Sequence, residues 1–330
     1  METRLGITMA KYPLSITRLE EKNGNGQKIK FVNPNTDNYE NNIRSCAARN
    51  LPMAPKMLHE GEVAVVCGSG PSLKDPEVID SIRDAVEDGA VVYACKAAIK
   101  FLHEQGIRVD YGVSMDPGAH IADPRKIEKV TGVIHIIAST SDPELFDYLL
   151  GDEYGDPSEV WVFHSACGFA KQLSPEELKK LSKKEKKLYT RYEIEDGDVI
   201  YQMDESSLYK NLFTDGTAIG GGFNVVNRTV SLAQYMGARK IILAGADSGW
   251  RDNDEMYCDG PEHRPGIGMT DKGKVDGKNW NTRPDMLASA VALAKLAKSA
   301  DPGDFDILGD TLPASLVLKS DDFLNEVASF

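Results

Sequence analysis

Short unbroken apolar runs alternate with stretches of helical periodicity along most of the chain. Val63–Cys67 is such a run and contains no turn residue, which predicts a strand buried on both faces. Gly68-Ser69-Gly70-Pro71-Ser72 breaks it, and a helix is predicted over about 73–87 with apolar positions at Leu73, Val78, Ile79, Ile82 and Val86. Further strands are expected at Ala90–Ala94, Val109–Ser114, Val133–Ala138 and Val160–Phe163, with a short helix at Ala97–Glu104. The alternation lapses between about 165 and 215, where Leu173–Tyr189 reads as one polar helix started by Ser174-Pro175-Glu176-Glu177. It returns with a helix at Asn224–Met236, a strand at Lys240–Gly245, a helix at Pro284–Lys298 and a strand at Asp304–Leu308. Residues 248–284 read as a long polar loop, and Tyr39–Arg49 as a short helix.

Strands alternating with helices at this spacing predict an α/β fold: a Rossmann-like, doubly wound, mostly parallel sheet with helices on both faces. The division expected is an N-terminal arm or cap over 1–60, a nucleotide-binding catalytic domain over 61–310 with a lysine-rich insertion near 170–200, and a tail over 311–330 that packs as a turn and a helix.

Composition narrows the function classes. The 330 residues carry a net charge of −13, which argues against a general nucleic-acid or membrane-surface binder. No apolar run approaches the roughly 20 residues of a membrane span, and the N-terminus lacks the apolar core of a signal peptide. Five widely spaced cysteines form no C-x-x-C pair, so neither a zinc site nor a disulfide framework is suggested, and a reducing cytoplasm is the default location. Cys67 and Cys95 read as buried small residues. Lys179, Lys180, Lys183, Lys184, Lys186 and Lys187 form one basic block, either a solvated helix face or an arm that meets an acidic substrate. Homo-oligomerisation is left open by the sequence.

Ligands in doubly wound sheets sit outside the carboxyl ends of the strands. That rule singles out Gly68–Ser72, Cys95-Lys96, Asp116 and Ser139–Asp142. The turn Gly68, Ser69, Gly70, Pro71, Ser72 joins a strand to a helix and is a candidate anion site; the plain alternative is a connection that needs glycine for its backbone angles. It lacks the third glycine of the dinucleotide fingerprint and the ending of a P-loop. Gly220, Gly221 and Gly222 precede the helix that Asn224 opens, a second candidate anion site. Asp116 and Asp247 end strands. Each is a candidate for a ribose or sugar hydroxyl, or for Mg²⁺ if both share one rim, and Asp116 is equally suited to capping its own turn. His120, His164 and His263 stand near strand ends or loops where a general base belongs, whereas His135 reads as a satisfied core residue. The absence of G-x-S-x-G argues against a serine hydrolase.

Three segments resemble a known family. They are V-V-C-G-S-G-P-S-L-K at 65–74, A-C-K-A-A-I-K-F-L-H-E-Q-G-I-R-V-D-Y-G-V-S-M-D-P at 94–117, and G-G-G-F-N-V-V-N-R-T-V-S-L-A-Q-Y-M-G-A-R-K-I-I-L-A-G-A-D at 220–247. Together they look like the family of MptE-like 6-hydroxymethylpterin pyrophosphokinases and motility-associated flagellin glycosyltransferases, over about residues 61–310. Val109 stands where the family pattern has proline. The G-x-G-P-S-L turn is also similar to that of bacterial sialyltransferases. The resemblance implies a transferase: a glycosyltransferase using a nucleotide-activated sugar, or else a Mg²⁺-dependent pyrophosphokinase using ATP. A non-catalytic nucleotide-binding module is the third reading. The resemblance implies that Gly68, Ser69, Gly70, Pro71 and Ser72 wrap donor phosphate or ribose, with Asp116 beside them; Lys96, at its strand end, is a further candidate for substrate binding. Gly220, Gly221, Gly222 and Asn224 would close the pocket, with Asp247 at its rim. The acceptor, whether protein, small molecule or nucleic acid, is not implied.

Overall fold

The computed structural model describes residues 21–22, 28–29, 36–118, 127–152, 155–166, 170–193, 199–221, 224–251, 257–258, 271–275 and 277–327. Gly222, His120 and His263 lie outside the described residues.

Eight parallel strands form one sheet. In chain order they are β1 (Val63–Cys67), β2 (Val91–Cys95), β3 (Tyr111–Ser114), β4 (Ile134–Ala138), β5 (Val160–Ser165), β9 (Ala218–Ile219), β10 (Lys240–Ala244) and β13 (Phe305–Ile307). Their order across the sheet is β9-β5-β4-β3-β2-β1-β10-β13. The chain therefore winds outward from β1 in one direction, then returns to its other side with β10. That reversal makes β1/β10 the topological switch point of an α/β doubly wound fold.

The strand sequences lack polar alternation because both faces are covered. Val65 and Cys67 face a core shared with α2 (Pro76–Glu87), α3 (Ala98–Glu104) and α4 (Pro143–Leu150). Ala64 and Val66 face a second core built with α8 (Val225–Tyr235) and α9 (Pro284–Ser299). All of β2 is buried. Cys67 and Cys95 are buried as expected, and burial pushes both thiols well up, that of Cys95 to about 12.

Elsewhere the structure departs from the sequence reading. α1 (Thr36–Ala48) lies within the expected N-terminal arm but is built into the domain: Ile43 and Cys46 are buried, and Asn42 Nδ2 donates to Thr140 O at 2.9 Å. The single helix expected over Leu173–Tyr189 is two short ones, α5 (Pro175–Lys180) and α6 (Lys183–Lys186). Each has its own capping box, Ser174 with Glu177 and Ser182 with Glu185, so the second box restarts what the pattern read as continuous. These helices ride on a small antiparallel sheet of β6 (Ala170–Leu173), β7 (Thr190–Glu193) and β8 (Val199–Asp204), with β8 central, followed by α7 (Glu205–Leu212). The expected polar loop 248–284 ends in a β-hairpin, β11 (Asp271–Val275) with β12 (Lys278–Thr282). The tail forms α10 (Leu312–Val317) and α11 (Asp321–Val327). Among the described residues no helix is long and apolar enough to cross a membrane.

At the switch point two backbones touch. Gly68 N donates to Ala244 O and Gly70 N to Gly245 O, both at 2.8 Å. A Cβ on Gly68 would lie 2.4 Å from Gly245 O, and Gly245 holds the left-handed φ of +58°. Gly68→Ala must therefore wedge β1 from β10. It is expected to lower unfolding free energy by about 1–3 kcal/mol, read as a lower urea midpoint. An unchanged midpoint would mean that the crossing widens at no cost.

Candidate functional site

The rim at the carboxyl end of the sheet is assembled from strand ends. After β1, Pro71–Lys74 forms a single 3₁₀ turn, which points the backbone N–H and the hydroxyl of Ser72 at Asp247, beyond β10. Ser72 Oγ donates to Asp247 Oδ2 at 2.8 Å, and Ser72 N approaches both carboxylate oxygens at 3.3 Å. The carboxylate thus occupies the place at the start of this turn where an external anion would otherwise sit. Gly70 makes the approach possible, since a Cβ there would lie 2.0 Å from Asp247 Oδ2. The amides of Gly68 and Gly70 are spent on β10. The turn therefore combines both sequence readings: its glycines serve close packing, while Ser69, Gly70 and Pro71 remain partly exposed along the rim.

Asp247 is 5% exposed. Burial raises its pKa to about 7, against the lowering pull of the Ser72 hydrogen bonds. The unfolded chain ionises this group near 3.8. Between those values the folded state holds a proton that the unfolded state lacks, so stability falls as pH rises from about 4 to about 7, by at most about 1.4 kcal/mol per pH unit. Asp247→Asn keeps the shape without the titration. Its melting temperature relative to the wild type is expected to climb in the variant's favour between pH 5 and pH 8. A difference that stays flat with pH would show that the carboxyl titrates normally.

Lys96 and Asp116 form a second corner, after β2 and β3. Lys96 Nζ lies 3.3 Å from Asp116 Oδ2, with the two side chains 30% and 23% exposed. The other oxygen, Oδ1, accepts from Gly118 N at 3.0 Å, so Asp116 caps its own turn while engaging the lysine. Lys96 has a left-handed φ of +52°, and Ser248, next to Asp247, has +53°. Such a backbone costs a non-glycine residue about 1–2 kcal/mol, and both residues stand on the ligand rim.

α8 links the two corners. Thr229 on this helix meets Cys95, the neighbour of Lys96, at 3.3 Å. Val226 Cγ2 lies 3.0 Å from where a Gly68 Cβ would be. The start of α8 is thereby brought onto the Gly68–Ser72 turn. Asn224 is the N-cap of α8 and accepts from Asn227 N at 2.9 Å. Gly221, at φ +128°, passes close to Ser231, and Gly220 and Gly221 are exposed.

Asp116 and Asp247 have different partners. The strands they follow, β3 and β10, are three strand spacings apart, roughly 14 Å. Among the described residues no group of three or more His, Cys, Asp or Glu side chains is arranged to hold a metal ion.

Two buried histidines, His164 and His135, serve the framework. His164 is fully buried, and Asp215 O, which can only accept, receives a hydrogen bond from its Nε2 at 2.9 Å. Nδ1 is then left to accept from Ser139 Oγ, also at 2.9 Å. Burial lowers the His164 pKa to about 4. With both nitrogens used, it is not placed as a base on the rim. His135 is buried as expected but not satisfied: neither ring nitrogen has a hydrogen-bond partner among the described residues. It is held neutral, its pKa lowered to about 4 chiefly by burial, and it fills the space beside Gly112, which has no Cβ to obstruct the ring.

The matched family is consistent with this rim. Residues 33–160 match the MptE-like family, described as 6-hydroxymethylpterin diphosphokinase MptE-like. The match spans α1 and the first half of the sheet, including the G-x-G-P-S-L turn, Lys96 and Asp116, and agrees with the resemblance carried by the sequence segments. Among solved structures, the chain is similar to the MAf glycosyltransferase from Magnetospirillum magneticum AMB-1, at 17% identity with a TM-score of 0.46. That alignment covers 89% of this chain and 42% of that one, so the chain spans less than half the length of its neighbour. No curated protein matches.

Proposed function

We propose that this chain is a nucleotide-dependent transferase, and that the transferred group is a sugar carried on a nucleotide donor. The observation that carries this reading is the G-x-G-P-S turn at the β1/β10 switch point, where doubly wound sheets hold their ligands. The donor lies along the rim from Ser69–Ser72, past the start of α8 with Gly220, Gly221 and Asn224, to Lys96. Lys96 supplies positive charge for the leaving phosphate, which the acceptor hydroxyl displaces directly from the anomeric carbon. Asp116, held by Lys96, is the carboxylate placed to take a hydrogen bond from a reacting hydroxyl. Asp247 fixes the turn from behind and is the second carboxylate assigned to the chemistry.

Diphosphate transfer from ATP to a hydroxymethyl acceptor is the second reading, favoured by the description of the family that residues 33–160 match. Such transfers employ Mg²⁺. Asp116 and Asp247, on strands three spacings apart and each with its own partner, do not fit as a shared pair of ligands. No step is assigned to them through an ion.

The readings separate in a thermal-shift panel of CMP, UDP, GDP, ADP, ATP and GTP, each with and without Mg²⁺. A ligand present at about 100 times its Kd adds about 2.7 kcal/mol to stability and raises the melting temperature. A shift with CMP or UDP is expected. A shift with ATP and Mg²⁺ alone would move the assignment to diphosphate transfer, and silence across the panel would overturn both. Asp116→Asn is expected to keep the shift and lose turnover; retained turnover would remove Asp116 from the chemistry.

A further inference from the structure

The hairpin β11–β12 carries a cluster that the site described above does not use. Trp250 and Asn281 exchange backbone hydrogen bonds, at 2.8 Å from Trp250 N and 2.7 Å from Asn281 N, and Thr282 Oγ1 donates to Ser248 O at 2.7 Å. These bonds tie the hairpin to the segment that follows Asp247, and they bring Lys278 beside Arg251. Both cations converge on Asp310. Lys278 Nζ donates to its two oxygens at 2.6 Å each, and Arg251 Nη2 donates to Oδ2. The Arg251 guanidinium lies over the buried ring of Trp280, 5.2 Å from its centroid, which fixes its plane.

The cluster adjoins the switch point. Asp310 follows Gly309, and a Cβ on Gly309 would lie 3.1 Å from Ser72 Cβ. Leu312 N, two residues beyond, approaches Asp247 O at 3.3 Å. Two cations share one carboxylate, which leaves one net positive charge on these three side chains in a chain whose total is −13. The side chains of Arg251, Lys278 and Asp310 are 36%, 42% and 45% exposed, open to an incoming group. Ion pairs this exposed contribute little to stability. A phosphate can take the planar arginine fork with two oxygens and the lysine with a third, which a single carboxylate cannot match.

We propose that Arg251 and Lys278 bind the phosphate groups of the nucleotide donor, with Asp310 as the built-in counter-ion that the phosphate displaces. The carrier of the phosphate rests on the nucleotide reading above; the oxyanion site itself rests on these three side chains.

The test is calorimetric titration of the full chain with inorganic pyrophosphate. The wild type is compared with the double variant Arg251→Gln/Lys278→Gln and with Asp310→Asn, each checked for an intact circular dichroism spectrum. Binding by the wild type is expected, at least about tenfold weaker in the double variant and several-fold tighter in Asp310→Asn, where the competing carboxylate is gone. A purely structural ion network would instead lower the melting temperature of Asp310→Asn and leave its pyrophosphate affinity unchanged, which overturns the proposal. So does undiminished binding by the double variant, or no binding by the wild type. The nucleotide panel run on the same proteins keeps the two ideas apart. Pyrophosphate binding lost in the double variant, with no nucleotide shift in the wild type, keeps the oxyanion site and removes the nucleotide. A nucleotide shift retained in full by the double variant keeps the nucleotide and removes the site.

Discussion

The close crossing of β1 and β10 sets the terms for everything around it. Two backbone hydrogen bonds of 2.8 Å hold Gly68 and Gly70 against Ala244 and Gly245, and no Cβ fits between them. Three glycines are therefore required by packing alone. The same contact consumes the amides that a glycine turn would otherwise offer to a phosphate, and Asp247 takes the Ser72 amide as well. Recognition of an anion here falls on side chains, on the start of α8 and on the Ser69 amide, which no hydrogen bond among the described residues occupies. In this respect the turn differs from a P-loop, whose free amides form the cradle.

The rim stores cost in two forms. Lys96 and Ser248 hold left-handed backbones, and Asp247 is buried, its lost hydration offset in part by hydrogen bonds from Ser72 and from its own backbone amide. The hydroxyls of Ser114, Thr140 and Ser141 add to this: all three are buried at the ends of β3 and β4 without hydrogen-bond partners among the described residues. A buried unpaired hydroxyl costs about 1–3 kcal/mol. These features concentrate where the strands end, while the strand interiors are apolar and paired apart from His135 in β4. Such a division is expected when the sheet supplies the stability and its carboxyl rim is shaped for something else.

The sheet was legible because burial on both faces leaves a continuous apolar run, and Val63–Cys67, Ala90–Ala94 and Lys240–Gly245 each carry one. The rim was legible as a set of strand ends, since any residue just past such a run must lie there. Strand order was not legible, so the distance between Asp116 and Asp247 could not be read from spacing. The hairpin β11–β12 escaped because its strands are almost wholly polar and Trp280 is their one large buried side chain among the described residues. Arg251, Lys278 and Asp310 escaped with it. In contrast, the break between α5 and α6 was written plainly: S-P-E-E and S-K-K-E are two capping boxes eight residues apart. The lysine count obscured them. α4 was announced in the same way by Asp142 and Pro143, with Leu145, Phe146 and Leu149 on one face.

The net charge bears on how such a rim can recognise a phosphate. At −13 the chain as a whole repels anions. Physiological salt screens exposed charges beyond about 8 Å, so distant carboxylates weaken the approach without reaching into the contact itself. What decides binding is the local balance. At the Lys96 corner that balance is near neutral, because Asp116 offsets the lysine. At Asp247 it depends on a proton, since the group sits near pKa 7. Among the described residues, contact and protonation at these two carboxylates set the charge along the middle of the rim. A residue in that position acts through its immediate partners, which is why pairs such as Ser72–Asp247 and Lys96–Asp116, rather than the overall acidity, carry the physical description of the site.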